Sequence, residues 1–169
     1  VVLIGLLSAP MIMIAVLIRS TSKGSPIFWS DRIGVRNCIF RMPKFRTMRQ
    51  NAPNVATHLM PNPEQFVTPI GRLLRKTSLD ELPQLFSVLK GDMSFVGPRP
   101  ALFNQDDLIA LRTEKGVHNL VPGITGWAQI NGRDELPIPV KVQYDVFYLR
   151  NRSLKFDMQI LVSTALKVT

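Results

Sequence analysis

Val1 to Ile18 reads VVLIGLLSAPMIMIAVLI, an apolar run without a charged residue. As a helix it would be about 27 Å long at ~1.5 Å per residue, just enough to cross the hydrocarbon core of a bilayer. A secretory signal peptide would begin with a basic region and end in small residues, whereas this run begins uncharged and ends at Arg19. The run therefore predicts a membrane helix, and the alternative interpretation is a buried core helix of a soluble protein.

Pro10 lies in the middle of this run. Its ring removes a backbone donor and clashes with the carbonyl of Leu6, which favours a kink. Ser8 could supply a hydrogen bond to the freed backbone, as lipid offers none. We therefore expect either a kinked span or a re-entrant helix that enters and leaves by one leaflet, with Ser8 and Pro10 at the break.

The segment after the apolar run is strongly basic. Residues 19–50 carry eight basic residues and one acid, Asp31. Basic segments next to an apolar anchor mark the cytoplasmic face of a membrane. Because no second long apolar run follows, we predict a membrane helix over residues 1–18 and one structural unit over residues 19–169, on the cytoplasmic side.

The whole chain is basic, with 21 Lys and Arg against 12 Asp and Glu and a net charge of +9. Such a balance predicts an anionic partner, which could be nucleic acid, a phospholipid surface or a phosphorylated substrate. Aromatic residues that could stack on bases are few in the basic region, and no nucleic-acid-binding signature is found, so we expect no nucleic acid. The spacing of His58, His118 and Cys38 gives little support to a zinc site or a catalytic triad.

The rest of the sequence predicts an α+β fold that is predominantly helical. Residues 40–48 form a candidate strand interrupted at Pro43, residues 51–69 a loop and Pro122 to Gly126 a turn. Helices are predicted over Ile70 to Lys76, Asn104 to Lys115, Val140 to Arg150 and Leu154 to Val168. The last of these could pack on the membrane-proximal face or serve a homodimer.

A further short helix is predicted after Ser78. Ser78 and Glu81 have the spacing of a capping box, S-x-x-E. The repeat of Leu82, Leu85, Phe86 and Leu89 at three and four residues predicts one buried face, with an end at Gly91.

Asp80 and Glu81 lie at the start of this helix and are the candidate chemical centre. Arg75, Arg99 and the basic segment with Lys44 and Arg46 could surround a phosphate group, since arginine forks bind phosphate oxygens in pairs. One carboxylate could hold Mg²⁺ while the other attacks phosphorus. The alternative is a pair of surface capping acids with solvated arginines.

Two adjoining strings carry a family resemblance: RKTSLDELPQL from Arg75 to Leu85, and LKGDMSFVGPRP from Leu89 to Pro100. They resemble the signature of the bacterial sugar transferases, the monotopic polyprenyl-phosphate phosphoglycosyl transferases. KFRTM from Lys44, PGITG from Pro122 and the stretch from Tyr144 to Asp157 are similar as well, so the resemblance covers essentially the whole chain.

The resemblance implies a two-step reaction in the bacterial inner membrane. Asp80 would attack the β-phosphate of a UDP-sugar, releasing UMP and forming a phosphosugar-aspartyl intermediate that polyprenyl (undecaprenyl) phosphate then attacks. Glu81 would ligate Mg²⁺, and Arg75 and Arg99 would hold phosphates, with Lys44 and Arg46 as helpers. The product would begin the assembly of a glycoconjugate such as O-antigen, capsule or exopolysaccharide.

Some features stay open at this point. Thr125 and Arg133 either lie near the nucleotide or sugar or are turn and surface residues. Family members have a Ser-Pro pair at the helix break, whereas Ala9 precedes Pro10 here and Ser8 lies one residue earlier. The first residue, Val1, suggests that a preceding segment is missing. Family members begin with a short basic segment, and some carry additional transmembrane helices. This chain shows neither, so it is either a small complete enzyme or the catalytic piece of a larger one.

Two competing functions fit the sequence less well than the transferase. A membrane-anchored protein that binds anionic lipid without catalysis would gain nothing from two carboxylates among its arginines. A metal-dependent hydrolase of nucleotide sugars would have no need of a membrane anchor.

Overall fold

The structure, a computed structural model, describes residues 2–53, 60, 62–132 and 136–168. Its fold is mixed α/β and mostly helical, which confirms the predicted class at that level. The chain divides into two compact units. The first comprises Val1–Ser30 and Arg41–Leu89, and the second comprises Asp31–Phe40 and Lys90–Thr169.

The first unit begins with helix α1, Val2–Thr21, which continues through Pro10. In the described part of the chain, α1 is the one helix long and apolar enough to cross a membrane. Only 17% of its most apolar window is buried, which argues against the core helix of a soluble protein. Ser8 donates its hydroxyl to the carbonyl of Gly5 at 2.7 Å, and the re-entrant path stays a prediction.

One face of α1 belongs to the core of this unit. Met11, Ile14 and Ile18 recur at helical spacing and pack with Phe45 and Leu74. The amino-terminal half is exposed instead, with Val2 82% and Leu6 74% accessible. The carboxyl-terminal half of the apolar helix is thus fixed to the rest of its unit.

Strands β1, Ile27–Ile33, and β2, Ile39–Phe45, form a two-stranded sheet. The predicted interruption at Pro43 is wrong, because both strands of such a sheet have a free edge where a missing donor is tolerated.

Two short helices complete the first unit: α2, Pro69–Lys76, and α3, Gln84–Lys90. The start of α2 follows from its sequence, because Thr68 accepts the N–H of Gly71 at 3.0 Å and Pro69 occupies the first helical position. The end of α3 before Gly91, which has φ +91°, is as predicted.

Four α-helices and two complete strands of the described residues lie in the second unit. These are β3, Ser94–Val96; α4, Asp106–Glu114; β4, Gly123–Thr125; α5, Trp127–Ile130; α6, Ile138–Asn151; and α7, Leu154–Val168. The predicted helices near residues 104, 140 and 154 are confirmed, with small shifts of their ends. The residues at the centre of its larger core cluster are Val96, Val117, Leu120, Ile130, Tyr148 and Ile160.

The predicted turn from Pro122 to Gly126 is largely strand β4, which pairs parallel with β3. A Cβ on Gly97 or Gly123 would overlap the backbone of the other segment, so the glycines serve close strand approach. The glycines of this segment suggested a turn. No local pattern indicated a strand, because the pairing partner β3 lies almost thirty residues earlier in the sequence.

Candidate active site

The predicted acid pair lies on one 3₁₀ turn, Leu79–Glu81, in the first unit. The capping box expected at Ser78 is wrong. Ser78 has φ 55° and forms no side-chain cap, because it is the left-handed residue that follows the end of α2. Pro83 then separates the turn from α3. The acids are therefore held between two helix ends, on backbone that includes a sparsely populated conformation.

The buried face predicted for α3 is only partly present. Leu85 is buried, whereas Phe86 and Leu89 are 49% and 57% exposed. Helical spacing identified a common face but not the side that meets the core. An exposed apolar surface consequently follows the acid pair along the chain.

Glu81 forms an ion pair with Lys44 of β2. The distance from Nζ to Oε1 is 2.9 Å, and the side chains are 16% and 18% exposed. Asp80 is 9% exposed. Lys44 is far from the two acids in the sequence, but β2 passes beside the turn that carries them. The structure therefore brings together three predicted site residues, Lys44, Asp80 and Glu81.

Arg75 is held in place by Thr47, which lies just after the end of β2. Its Nε donates to the hydroxyl of Thr47 at 2.8 Å. One turn earlier, Gly71 packs against the carbonyl of Thr47 so closely that a Cβ would overlap it. Helix α2 also contacts the turn of the acid pair. The close approach of the backbones at Gly71 and Thr47 thus fixes the position from which the Arg75 side chain extends. Arg75 and Asp80 lie in the same unit.

Arg46 lies at the end of the apolar helix. Its Nη1 donates to the carbonyl of Lys23 at 2.6 Å, and its Nη2 donates to the carbonyl and hydroxyl of Ser22 at 3.1 and 2.8 Å. A cation at the carboxyl end of a helix is favourable because unpaired carbonyls gather there. In this structure Arg46 joins the end of α1 to β2, a position that its sequence did not indicate.

The other predicted residues belong to the second unit. Arg99 is half-buried between Pro98 and Pro100. Thr125 is 7% exposed, and its hydroxyl shares a 2.7 Å hydrogen bond with that of Thr164 in α7. Arg133 lies outside the described residues. The structure thus gives Thr125 a partner within its own unit.

Two further charged residues of this unit were not singled out from the sequence. Arg112 of α4 donates from Nε and Nη2 to Oδ2 of Asp145 in α6, at 2.9 and 2.7 Å. Burial raises the pKa of the Asp145 carboxyl, and the charge and hydrogen bonds of Arg112 oppose that rise. A signal existed: Leu108 and Arg112 share one helical face, as do Val142 and Asp145, so each charge continues an apolar stripe.

Tyr148 forms a separate polar contact of α6. Its hydroxyl donates to Oδ1 of Asp157 at 2.8 Å. Burial and this acceptor raise the pKa of Tyr148 above its ordinary value, so the phenol stays protonated and the bond is kept. The contact ties α6 to α7 and forms part of the framework rather than the acid site.

Gln84, missed in the sequence, follows the acid pair at the start of α3. It is 1% exposed, and neither of its amide atoms has a hydrogen-bond partner among the described residues. Such a group is costly in a protein interior. The pattern that could have identified Gln84 is a polar residue three positions after Glu81 and four after Asp80, on the same side of a helical turn as the candidate acids.

The carboxylates of the acid turn suit a hard divalent cation such as Mg²⁺. No group of three or more His, Cys, Asp or Glu side chains able to hold an ion is found within the described ranges. Mg²⁺ is commonly held by only one or two carboxylates together with substrate phosphates and water. Asp80 and Glu81 fit that mode and not a cage built from protein ligands alone.

A family model described as bacterial sugar transferase matches residues 1–169. The chain belongs to this family. The resemblance seen in its motifs is thereby confirmed at the level of the family, including the segments around Asp80, Arg99 and Gly123.

Curated relatives of this sugar transferase include three from different bacteria. The chain is 47% identical over 148 residues to an uncharacterized sugar transferase, EpsL, of Bacillus subtilis, covering 86% of this chain and 71% of EpsL. It is 38% identical over 169 residues to a UDP-N-acetylgalactosamine-undecaprenyl-phosphate N-acetylgalactosaminephosphotransferase of Aeromonas hydrophila, covering 97% of this chain and 40% of that protein.

The third relative is a UDP-glucose:undecaprenyl-phosphate glucose-1-phosphate transferase of Xanthomonas campestris pv. campestris. Identity is 41% over 166 residues, which is 94% of this chain and 34% of the relative. The chain thus spans less than half of the two relatives whose names state a reaction. Those names differ in the sugar, so similarity at this level does not select the donor.

Proposed function

We propose that this sugar transferase moves a sugar-1-phosphate from a UDP-sugar to undecaprenyl phosphate and releases UMP. The observation that carries the proposal is the acid pair, Asp80 and Glu81, with a lysine on one acid and an arginine-bearing helix beside the turn. Family membership and the reactions in the names of the Aeromonas and Xanthomonas relatives support the same chemistry.

In the first step a carboxylate oxygen of Asp80 attacks the β-phosphorus of the donor. The bond from that phosphorus to the bridging oxygen breaks, and UMP leaves with the electron pair. In the second step an oxygen of undecaprenyl phosphate attacks the same phosphorus. The aspartyl bond then breaks, which restores the carboxylate and yields a lipid diphosphate sugar.

The surrounding charges stabilise the phosphates in this scheme. Arg75 and Arg99 bind phosphate oxygens through their guanidinium forks. Lys44 orients Glu81, and Glu81 would hold Mg²⁺, while Asp80 is kept for the attack on phosphorus. Bound there, the ion would neutralise charge on the diphosphate. Arg46 is left to fix the anchor helix, and Thr125 and Arg133 are assigned to the neighbourhood of the nucleotide or sugar.

The same proposal places the protein in the bacterial inner membrane. Helix α1 would enter the cytoplasmic leaflet and return by it, with Ser8 and Pro10 at the bend, so that Asp80 faces the cytoplasm at the interface. A water-soluble donor and a lipid acceptor can meet only there. The lipid product would serve the assembly of a polysaccharide, and the protein could act as a homodimer.

The test is UMP release from a panel of UDP-sugars with Mg²⁺ in detergent, with and without undecaprenyl phosphate. We expect lipid-dependent release with one sugar, lowered by about 10³-fold or more in Asp80→Asn because the nucleophile is lost. Asp107→Asn, an exposed acid at the start of α4, is the matched control and should keep its rate.

The competing functions give different results in the same assay. Repeated turnover without the lipid would indicate a hydrolase, because the covalent route stops after one UMP per protein when no acceptor is present. The absence of release from folded protein across the whole panel, together with binding to anionic vesicles, would support the lipid-binding alternative.

A further inference from the structure

The segment Pro98–Pro100 of the second unit is held through its carbonyl groups. Two of its three residues lack an N–H group, so it has little capacity to fix itself as a donor. Each carbonyl instead accepts a hydrogen bond from elsewhere in the unit. The contacts are Gly123 N–H to Pro98 O at 2.9 Å, Arg112 Nη1 to Arg99 O at 2.8 Å and Arg32 Nη1 to Pro100 O at 3.2 Å.

The contact to Arg99 comes from a guanidinium whose orientation is fixed. Both Nε and Nη2 of Arg112 donate to one oxygen of Asp145, and the two side chains are 9% and 2% exposed. A guanidinium is planar, so two hydrogen bonds on one side determine where the third nitrogen points. Asp145 thereby aims Nη1 of Arg112 at the Arg99 carbonyl.

A buried ion pair of this kind is a poor way to gain stability alone. Removing two charges from water is costly, and well-packed apolar side chains of similar volume often serve stability equally well or better. What apolar side chains cannot supply is a directed donor. The pair's distinctive contribution is therefore the hydrogen bond to Arg99.

That hydrogen bond acts on the one residue of the segment with a long charged side chain. Pro100 restricts the backbone conformation of Arg99, because it follows that residue in the chain. The hydrogen bond from Arg112 fixes the carbonyl of Arg99, which belongs to the peptide unit that joins Arg99 to Pro100. Together they set the direction in which the Arg99 side chain leaves the backbone. A shift of about 1 Å in such a group can cost catalysis 10²-fold.

We propose that Arg112 is a positioning residue for Arg99 and that Asp145 holds Arg112 in place. The inference rests on the proposed function, in which Arg99 binds the phosphates of the donor. Arg112 itself touches no reacting atom in this account. Its effect on the reaction passes through Arg99 alone.

A double-mutant cycle on kcat/KM for the UDP-sugar tests this dependence. Arg112→Met is measured in the wild type and in Arg99→Lys, which keeps a charge and residual activity. We expect a loss of about 10- to 100-fold in the first background and less than about 2-fold in the second, because the group to be positioned is already altered. An equal loss in both backgrounds overturns the proposal.

A paired replacement separates positioning from stability. Arg112→Met with Asp145→Leu removes both charges and leaves no unpaired buried ion, so this variant should fold even if Arg112→Met does not. We expect its kcat/KM to stay low although its thermal unfolding midpoint is close to that of the wild type. Wild-type kcat/KM in the folded pair overturns the positioning role.

Two controls complete the design. Arg150→Met removes an exposed arginine of α6 and should leave kcat/KM unchanged. If the wild type itself releases no UMP from any donor, the proposed function fails and the positioning role fails with it. If the wild type is active and the folded paired variant is equally active, the positioning role is contradicted while the proposed function stands.

Discussion

The Lys44–Glu81 pair of the first unit and the Arg112–Asp145 pair of the second have similar lengths, 2.9 and 2.7 Å, but different surroundings. The first is 16% and 18% exposed and lies at the acid turn. The second is 9% and 2% exposed, and every nitrogen of its guanidinium donates a hydrogen bond. A solvent-accessible pair can exchange partners with a phosphate or a metal ion, whereas a sealed pair is committed to the framework.

The largest difference between the pairs should be in stability. Asp145→Leu leaves the Arg112 charge buried without its partner and should lower the free energy of unfolding by about 3–5 kcal/mol. Glu81→Leu should lower it by about 1 kcal/mol or less, since Lys44 can reach water. Denaturant unfolding of both variants in detergent measures the two values. Equal losses would remove the distinction between a site pair and a framework pair.

A middle-sized effect is expected at Arg46, whose charge serves neither pair. Arg46→Met removes the donors to Ser22 and Lys23 and should cost about 2 kcal/mol of stability, because the carbonyls of these two residues, which follow α1, lose their charged partner. KM for the UDP-sugar should change little. Thermal unfolding and steady-state kinetics measure the two quantities. A large rise in KM with unchanged stability would return Arg46 to the phosphate site.

Lys44→Met should have the smallest effect on stability but a clear effect on the rate of UMP release. The free energy of unfolding should change by about 1 kcal/mol or less, while UMP release should fall by about 10-fold or more because Glu81 loses the cation that orients it. Lys76→Met, an exposed lysine at the end of α2, is the control for general charge loss. A rate equal to the wild type would leave Lys44 with no part in the reaction.

The parts of the fold that could be predicted from the sequence are those with strong local signals. Helix α2 has Thr68 and Pro69 at its start, and α7 carries apolar residues at helical spacing, so both were found close to their observed bounds. Strand β4 was missed because its conformation depends on β3, which lies far away in the sequence. Ser78 was misassigned because a serine before a short helix and a left-handed serine after one have the same local pattern.

The candidate site divides in the same way. Asp80, Glu81 and Arg75 lie within one motif and were found together, and Lys44 joined them as a member of a second. The partners that fix their geometry, Thr47 for Arg75 and Asp145 for Arg112, are 28 and 33 residues away in the sequence. Pairings over such distances are decided by how helices pack. A single sequence therefore indicates the reacting groups more readily than the residues that orient them.

The most direct test of the central claim is the intact mass of the protein after incubation with each UDP-sugar and Mg²⁺ in the absence of lipid acceptor. We expect a gain equal to one sugar phosphate with a single donor, lost on adding undecaprenyl phosphate and located on Asp80 by peptide mapping. Asp80→Asn should show no gain, and Asp107→Asn should show the wild-type gain. Lipid-dependent UMP release without any adduct, or an adduct that persists in Asp80→Asn, would contradict Asp80 as the nucleophile.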